Sequence, residues 1–167
     1  MIALLVLPLG MSAQRITPEQ LYSVVNQKQT RIDNIRQGVN DAYFYFDLDN
    51  AEATAYESGD YQAYIDFILA RYNRTLSMMN YEAAKIAGEA ASFIRSHHGD
   101  GTVSTDVTQA GIAKYTDMKE FFLKYAKEQN RKYLQFWQSY SAKHGNNGKE
   151  LFQYDNEFMK RYGVHVQ

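Results

Sequence analysis

No proline follows Pro18 in this chain. Proline stops a helix because it lacks the backbone N–H and collides with the preceding turn. A chain without it is free to build long helices, and the apolar spacing predicts that this one does. Leu21, Val25, Lys28, Ile32, Ile35, Val39, Ala42 and Phe46 recur at alternating steps of four and three. That places them on one helical face, with Lys28 as its only charged member. A second seam runs through Tyr61, Ile65, Ile68, Tyr72, Leu76, Met79, Ala83, Ile86, Ala90 and Phe93. Only the step from Ile65 to Leu76 departs from a heptad, and an eleven-residue spacing is tolerated in packed helices. A third seam is Met118, Phe122, Tyr125, Gln129, Tyr133, Phe136 and Tyr140.

The ends of these helices carry local signals. Thr17 is an N-cap, Pro18 stands at the first helical position and Gln20 completes a capping box. Ile16 and Leu21 occupy the positions of a hydrophobic staple. Tyr43-Phe-Tyr-Phe46 also alternates as a strand would, but the helical reading continues an established period. A short helix is expected over Ala51 to Glu57, stopped by Ser58-Gly59. The second long helix starts at Asp60, with Asn80 as its one candidate break. His98-Gly-Asp-Gly-Thr102 reads as a loop. A short helix over Asp106 to Lys114 is expected next. The third long helix then begins near Asp117, with Glu120 as its capping partner, and ends at His144-Gly145. After the turn Asn146-Asn-Gly148, a last amphipathic helix runs from Lys149 to Tyr162. Together these predict an all-α fold: an elongated antiparallel bundle of three long helices plus shorter ones, with no significant sheet. Ala83, Ala84, Ala87, Gly88, Ala90 and Ala91 would let a neighbouring helix approach the second rod closely.

Ala55-Tyr-Glu-Ser-Gly-Asp-Tyr-Gln-Ala-Tyr64 resembles the hairpin of a tetratricopeptide repeat, in which Gly turns the chain and a Tyr packs between two helices. A second unit would recur roughly 34 residues on. Phe93 stands where Gly59 would repeat, so the resemblance implies one helix–turn–helix corner and no repeat array.

Residues Met1 to Gln14 form an apolar run broken at Pro8 and Gly10, followed by the small Ser12 and Ala13. That is the outline of a secretory signal, although no Lys or Arg precedes the run. The run is too short for a bilayer span, which takes roughly 20 apolar residues. The expected division is a leader over 1–13 and a single helical domain over 14–167, placed in the periplasm or secreted. A buried N-terminal strand or helix is the competing reading. Cysteine is absent, which removes disulfides, thiolate metal sites and thiol nucleophiles. A net charge of −1 gives no electrostatic case for nucleic acid.

Chemical motifs are scarce. His97 and His98 are adjacent, whereas metal ligands on a helix need spacings of three or four to share a face. With Asp100 they read as a helix end, and His144 reads likewise. Asp47-Leu-Asp-Asn-Ala-Glu52 has Ala51 at a ligand position and lacks the central Gly of a calcium loop. No phosphate loop, serine elbow or zinc-protease pair is present. No catalytic residue, metal or cofactor is therefore expected, and a motif-free pair of carboxylates stays open but unsupported. Charge is uneven: residues 47–70 hold six acids and no Lys or Arg, while Lys114, Lys119, Lys124, Lys127, Arg131 and Lys132 dominate 114–132. These segments face each other within one molecule, face each other across two copies, or are two ordinary solvated faces.

The chain has 14 Tyr and 9 Phe, more aromatic surface than three seams need. Tyr22, Tyr45, Tyr64, Tyr115, Trp137 and Tyr154 fall beside or away from them. Tyrosine and tryptophan bring large contact area at low entropy cost. Tyr45, Tyr64, Tyr133, Trp137 and Tyr140 are the candidate binding residues, unless shorter segments cover them. The expected function is an exported, non-catalytic interaction module that binds a protein partner or itself through a Tyr-rich face. The alternative is a binding protein for a small apolar or sugar ligand held between helices.

Overall fold

The computed structural model describes residues 15–166, and the expected leader at 1–13 lies outside them. Helix α1 spans Pro18–Tyr45. Its start is the expected capping box: the Thr17 hydroxyl accepts from the Gln20 backbone N–H at 3.2 Å, and Gln20 Oε1 accepts from the Thr17 N–H at 2.8 Å. The helical period continues through Tyr45, so Tyr43-Phe-Tyr is helix and not strand. Asp47, at φ 48°, turns the chain into α2, Ala51–Glu57. Gly59, at φ 80°, supplies the left-handed residue that the next corner requires. Helix α3 spans Tyr61–Ser96, capped by Asp60, which accepts from the Ala63 N–H. It runs through Asn80 without a break. The Asn80 amide donates to the Leu76 carbonyl at 2.8 Å, one turn back, and so follows the helix.

The expected pair of helices after the loop is a single one. Helix α4 spans Thr105–His144, 40 residues or about 60 Å at 1.5 Å per residue. Its cap is Ser104, not Asp117: the Ser104 hydroxyl accepts from the Val107 N–H. Asp117 has the residue type of a cap but lies exposed in the helix interior. Gly111, which weakens the local helical signal, serves packing. A Cβ there would stand 3.1 Å from Ile94 Cδ1 of α3. The last helix is also shorter than expected: a 3-10 turn over Lys149–Leu151 leads into α5, Phe152–Lys160.

Helix α3 is the centre. It packs against α1, α2, α4 and α5, while α1 and α4 do not pack closely on each other. Lys28 meets Glu89 and Arg31 meets Glu82, which makes α1 antiparallel to α3. The Ser77 hydroxyl donates to the Ala126 carbonyl and Ser139 donates to Asp66, so α4 is antiparallel to α3 as well. The small residues perform as expected: Ala83, Ala84, Ala87, Ala90 and Ala91 are buried with Ile68, Leu76, Met79, Ile86 and Ile94. Full burial of each large aliphatic side chain is worth about 1.5–3 kcal/mol. Gly38 allows the closest approach on the other side, since a Cβ there would meet Met79 Cε and the Tyr162 ring.

Candidate functional site

The aromatic surplus of this chain divides between a filled joint and an open groove. The joint lies where α5 folds back on α3 and α4. Tyr133, Trp137 and Tyr140 share one face of α4 because they recur at steps of four and three. Trp137 stands 5.7 Å from Tyr140 and 5.3 Å from Phe152, and Tyr133 stands 6.3 Å from Phe152. Tyr140 packs on Phe67 at 4.8 Å and stacks on His144 at 4.9 Å. The Arg74 guanidinium covers the Phe152 ring at 4.8 Å, a cation–π contact.

On the α1 side of α5, Tyr45 stacks on Phe158 at 4.2 Å, and its hydroxyl donates to Asp155. Asp155 is fully buried, at 0% exposure. Both its oxygens are held by Arg71, from Nε at 3.0 Å and Nη2 at 2.7 Å. Arg71 in turn lies over Phe46 and Phe67. Burial first, and the Asp155 charge second, push the Tyr45 phenol above its ordinary value. The structure therefore brings Tyr133, Trp137 and Tyr140 together and ties Tyr45 to the same small helix. Tyr64 stands apart from them, half-buried against the core. All five are half-buried, and three of them, Tyr45, Tyr133 and Trp137, pack on rings of α5, while Tyr140 packs on Phe67 of α3. The Arg71–Asp155 pair was not expected. Its one local sign is an acid on the apolar face of the last helix, between Phe152 and Phe158.

The groove lies on the opposite side, between α1 and α4, with α3 as its floor. Tyr22, Val25, Arg36, Val39 and Asn40 form the α1 wall. Val107, Lys114, Met118, Phe121 and Tyr125 form the α4 wall, and Leu76, Asn80 and Ile94 the floor. The Tyr115 hydroxyl donates across the groove to Gln29 Oε1 at 3.0 Å and divides it. A cavity of about 210 Å³ lies on the Tyr22 side and one of about 330 Å³ on the Tyr125 side. Phe121 is 55% exposed, Tyr22 46% and Tyr125 43%. Phe121 and Tyr125 touch at 4.7 Å, so they form one surface. Gln129 lines the larger of these two cavities, and its buried Oε1 has no hydrogen-bond partner among the described residues.

His97, His98, His144, Asp47 and Asp49 lie outside the groove and have near neighbours of their own. His97 Nδ1 lies 2.9 Å from Asp100, and His98 Nδ1 lies 2.7 Å from the Thr108 hydroxyl. Asn50 donates to Asp47, and Tyr43 to Asp49. His144, at the C-terminus of α4, lies 3.4 Å from Asp60. Among the described residues no ion pair joins the acidic segment 47–70 to the basic segment 114–132. Among them no group of three His, Asp or Glu side chains is placed to hold a metal ion. No helix of the described chain is long and apolar enough to cross a membrane. Comparison with protein families, with curated proteins and with solved structures finds no match.

Proposed function

We propose that this protein is an exported, non-catalytic interaction module that engages a protein through the groove between α1 and α4. One observation carries the reading: Phe121, Tyr125 and Tyr22 stand exposed along a groove whose floor is the hydrophobic core. Exposed aromatics gathered in one strip mark contact surfaces more often than scattered ones do. The Tyr-rich face expected from sequence thus shifts position. Tyr133, Trp137 and Tyr45 anchor α5, Tyr140 packs beside them on Phe67, and the groove aromatics are offered to a partner. Export rests on the leader-like residues 1–13, and a core built without disulfides fits any compartment.

A photo-crosslinking phenylalanine analogue at position 125 tests the contact, with position 154 on α5 as the exposed control. The expected result is an adduct from 125 and none from 154. No adduct from 125, or equal yields from both, overturns the reading. N-terminal sequencing of the protein from the extracytoplasmic fraction tests export, with Gln14 as the expected first residue. A second reading, a small-ligand site, draws on Gln129 alone. Its buried oxygen asks for a donor, and Asn40 and Asn80 line the same cavity. A neutral sugar bound there would raise the melting temperature with concentration, and Gln129→Leu would remove that rise.

A further inference from the structure

We infer that the partner in the groove is a second copy of this chain, paired antiparallel through α4 about a two-fold axis at Phe121. This rests on the groove being the contact surface, as proposed above. Lys114, Phe121 and Glu128 are seven residues apart, and a straight helix drifts only about 20° per heptad, so the three form one stripe. All three are exposed, and Phe121 is the most exposed aromatic of the groove. An isologous contact sets residue 121+k of one copy against 121−k of the other. Lys114 then faces Glu128 of the second copy, twice by symmetry. Asp117 falls opposite Tyr125, a carboxylate acceptor against a phenol donor. Met118 falls opposite the aliphatic stem of Lys124. Each position thus meets a complement.

The alternatives do not share this property. Parallel pairing sets Lys114 on Lys114 and Glu128 on Glu128. Centring the axis on Tyr125 sets Lys114 against Phe136 and Phe121 against Gln129, so the charge pair and the aromatic centre are both lost. Among the described residues Lys114 and Asp117 form no ion pair, and Glu128 has one exposed pair, to Lys132 at 3.1 Å. Exposed pairs of this kind are weak. The charges therefore set direction and register, and the aromatic centre supplies the affinity.

The cysteine-free chain allows a clean test. Lys114→Cys and Glu128→Cys leave the Phe121 centre in place, and Tyr154→Cys, outside the groove, is the control that does not dimerise in dilute solution. Lys114→Cys alone gives no dimer, but mixed with Glu128→Cys it gives the cross-linked pair. Sedimentation of the unmodified chain shows a monomer–dimer equilibrium, which Phe121→Glu weakens about tenfold or more. Lys114→Glu weakens it several-fold, and Lys114→Glu with Glu128→Lys restores it. Circular dichroism checks that each variant keeps its helices. Three results overturn the inference: a chain that stays monomeric at high concentration, mixed Lys114→Cys and Glu128→Cys linking no faster than Tyr154→Cys, or Lys114→Cys linking to itself. The adduct mass from position 125 separates the two levels. Twice the chain mass supports self-pairing, another mass leaves the groove reading standing and removes this one, and no adduct removes both.

Discussion

Helix α4 carries two sets of aromatic residues, and they meet opposite fates. Near its C-terminus Tyr133, Trp137 and Tyr140 are packed beneath Phe152, Phe67 and Arg74. Two to three turns earlier, Phe121 and Tyr125 stand in solvent at 55% and 43% exposure. The residue types are alike and the helix is the same. What differs is the neighbour: α5 folds back over the first set, and the gap between α1 and α4 leaves the second uncovered. Aromatic abundance alone therefore does not mark a contact surface. Whether the chain returns to cover it does.

The largest effect should come from breaking the clasp that holds α5 down. Arg71→Leu leaves the Asp155 carboxylate buried without its partner. Such removal costs about 3–5 kcal/mol, because the remaining charge is uncompensated. Urea unfolding should show that loss, with exposure of Trp137 fluorescence. Arg71→Leu combined with Asp155→Leu should recover much of it, since replacing a buried pair by apolar groups is often close to neutral. A single variant as stable as the parent would show that α5 is held by its aromatics alone. The groove should be untouched in either variant.

Most of this architecture was legible in local sequence, and the clasp was not. The capping box at Thr17 and Gln20, the corner at Gly59 and the first two seams follow from local chain, whereas the third seam is only partly right: Tyr125 on it is exposed and Tyr115 beside it is buried. The false break near Asp117 shows the limit. Asp117 and Glu120 imitate a cap, and Gly111 weakens the helix before it, yet Ile94 packs over Gly111 and the helix continues. Asp155 finds its partner 84 residues upstream, and Tyr45 finds the same acid 110 residues downstream. No local pattern encodes contacts at that range. The same holds for the candidate residues: Tyr45 and Trp137 lie off the seams and Tyr133 and Tyr140 on the third one, and only the packing of α3 and α5 settles which of them solvent sees.

A direct comparison of the two aromatic sets comes next in size. Trp137→Ala removes a half-buried ring from the joint and should cost about 2 kcal/mol, below the range for a fully buried tryptophan. Phe121→Ala and Tyr125→Ala remove rings that already face water and should each stay within about 0.5 kcal/mol. The same three variants should rank in reverse for association, with Phe121→Ala the most damaging. Equal stability losses from both sets would erase the distinction. Chemical denaturation and sedimentation on the same samples provide both scales.

The smallest effect concerns the loop that joins α3 to α4 at the Tyr22 end of the groove. The Thr102 hydroxyl and backbone N–H, and after them the His97 ring, hold the Asp100 carboxyl down from 3.8 to about 2. A folded-state value below the unfolded one means that the charged carboxylate is favoured by folding. Its contribution is complete above the unfolded value, near pH 4, and is lost as the pH falls through about 2. Asp100→Asn should therefore lower the urea midpoint slightly at pH 7, and the difference from the parent should close as the pH approaches 2. Protection of the Thr102 amide, measured against its intrinsic exchange rate at each pH, should fall over the same interval, because the carboxylate accepts that N–H at 2.8 Å. Trp137 at the joint should report nothing in that titration if the two ends of α4 are as independent as their packing implies. A midpoint difference that persists unchanged at pH 2 would mean that Asp100 acts through its shape and not its charge. The loop would then be a passive connection between the two helices that floor and wall the groove.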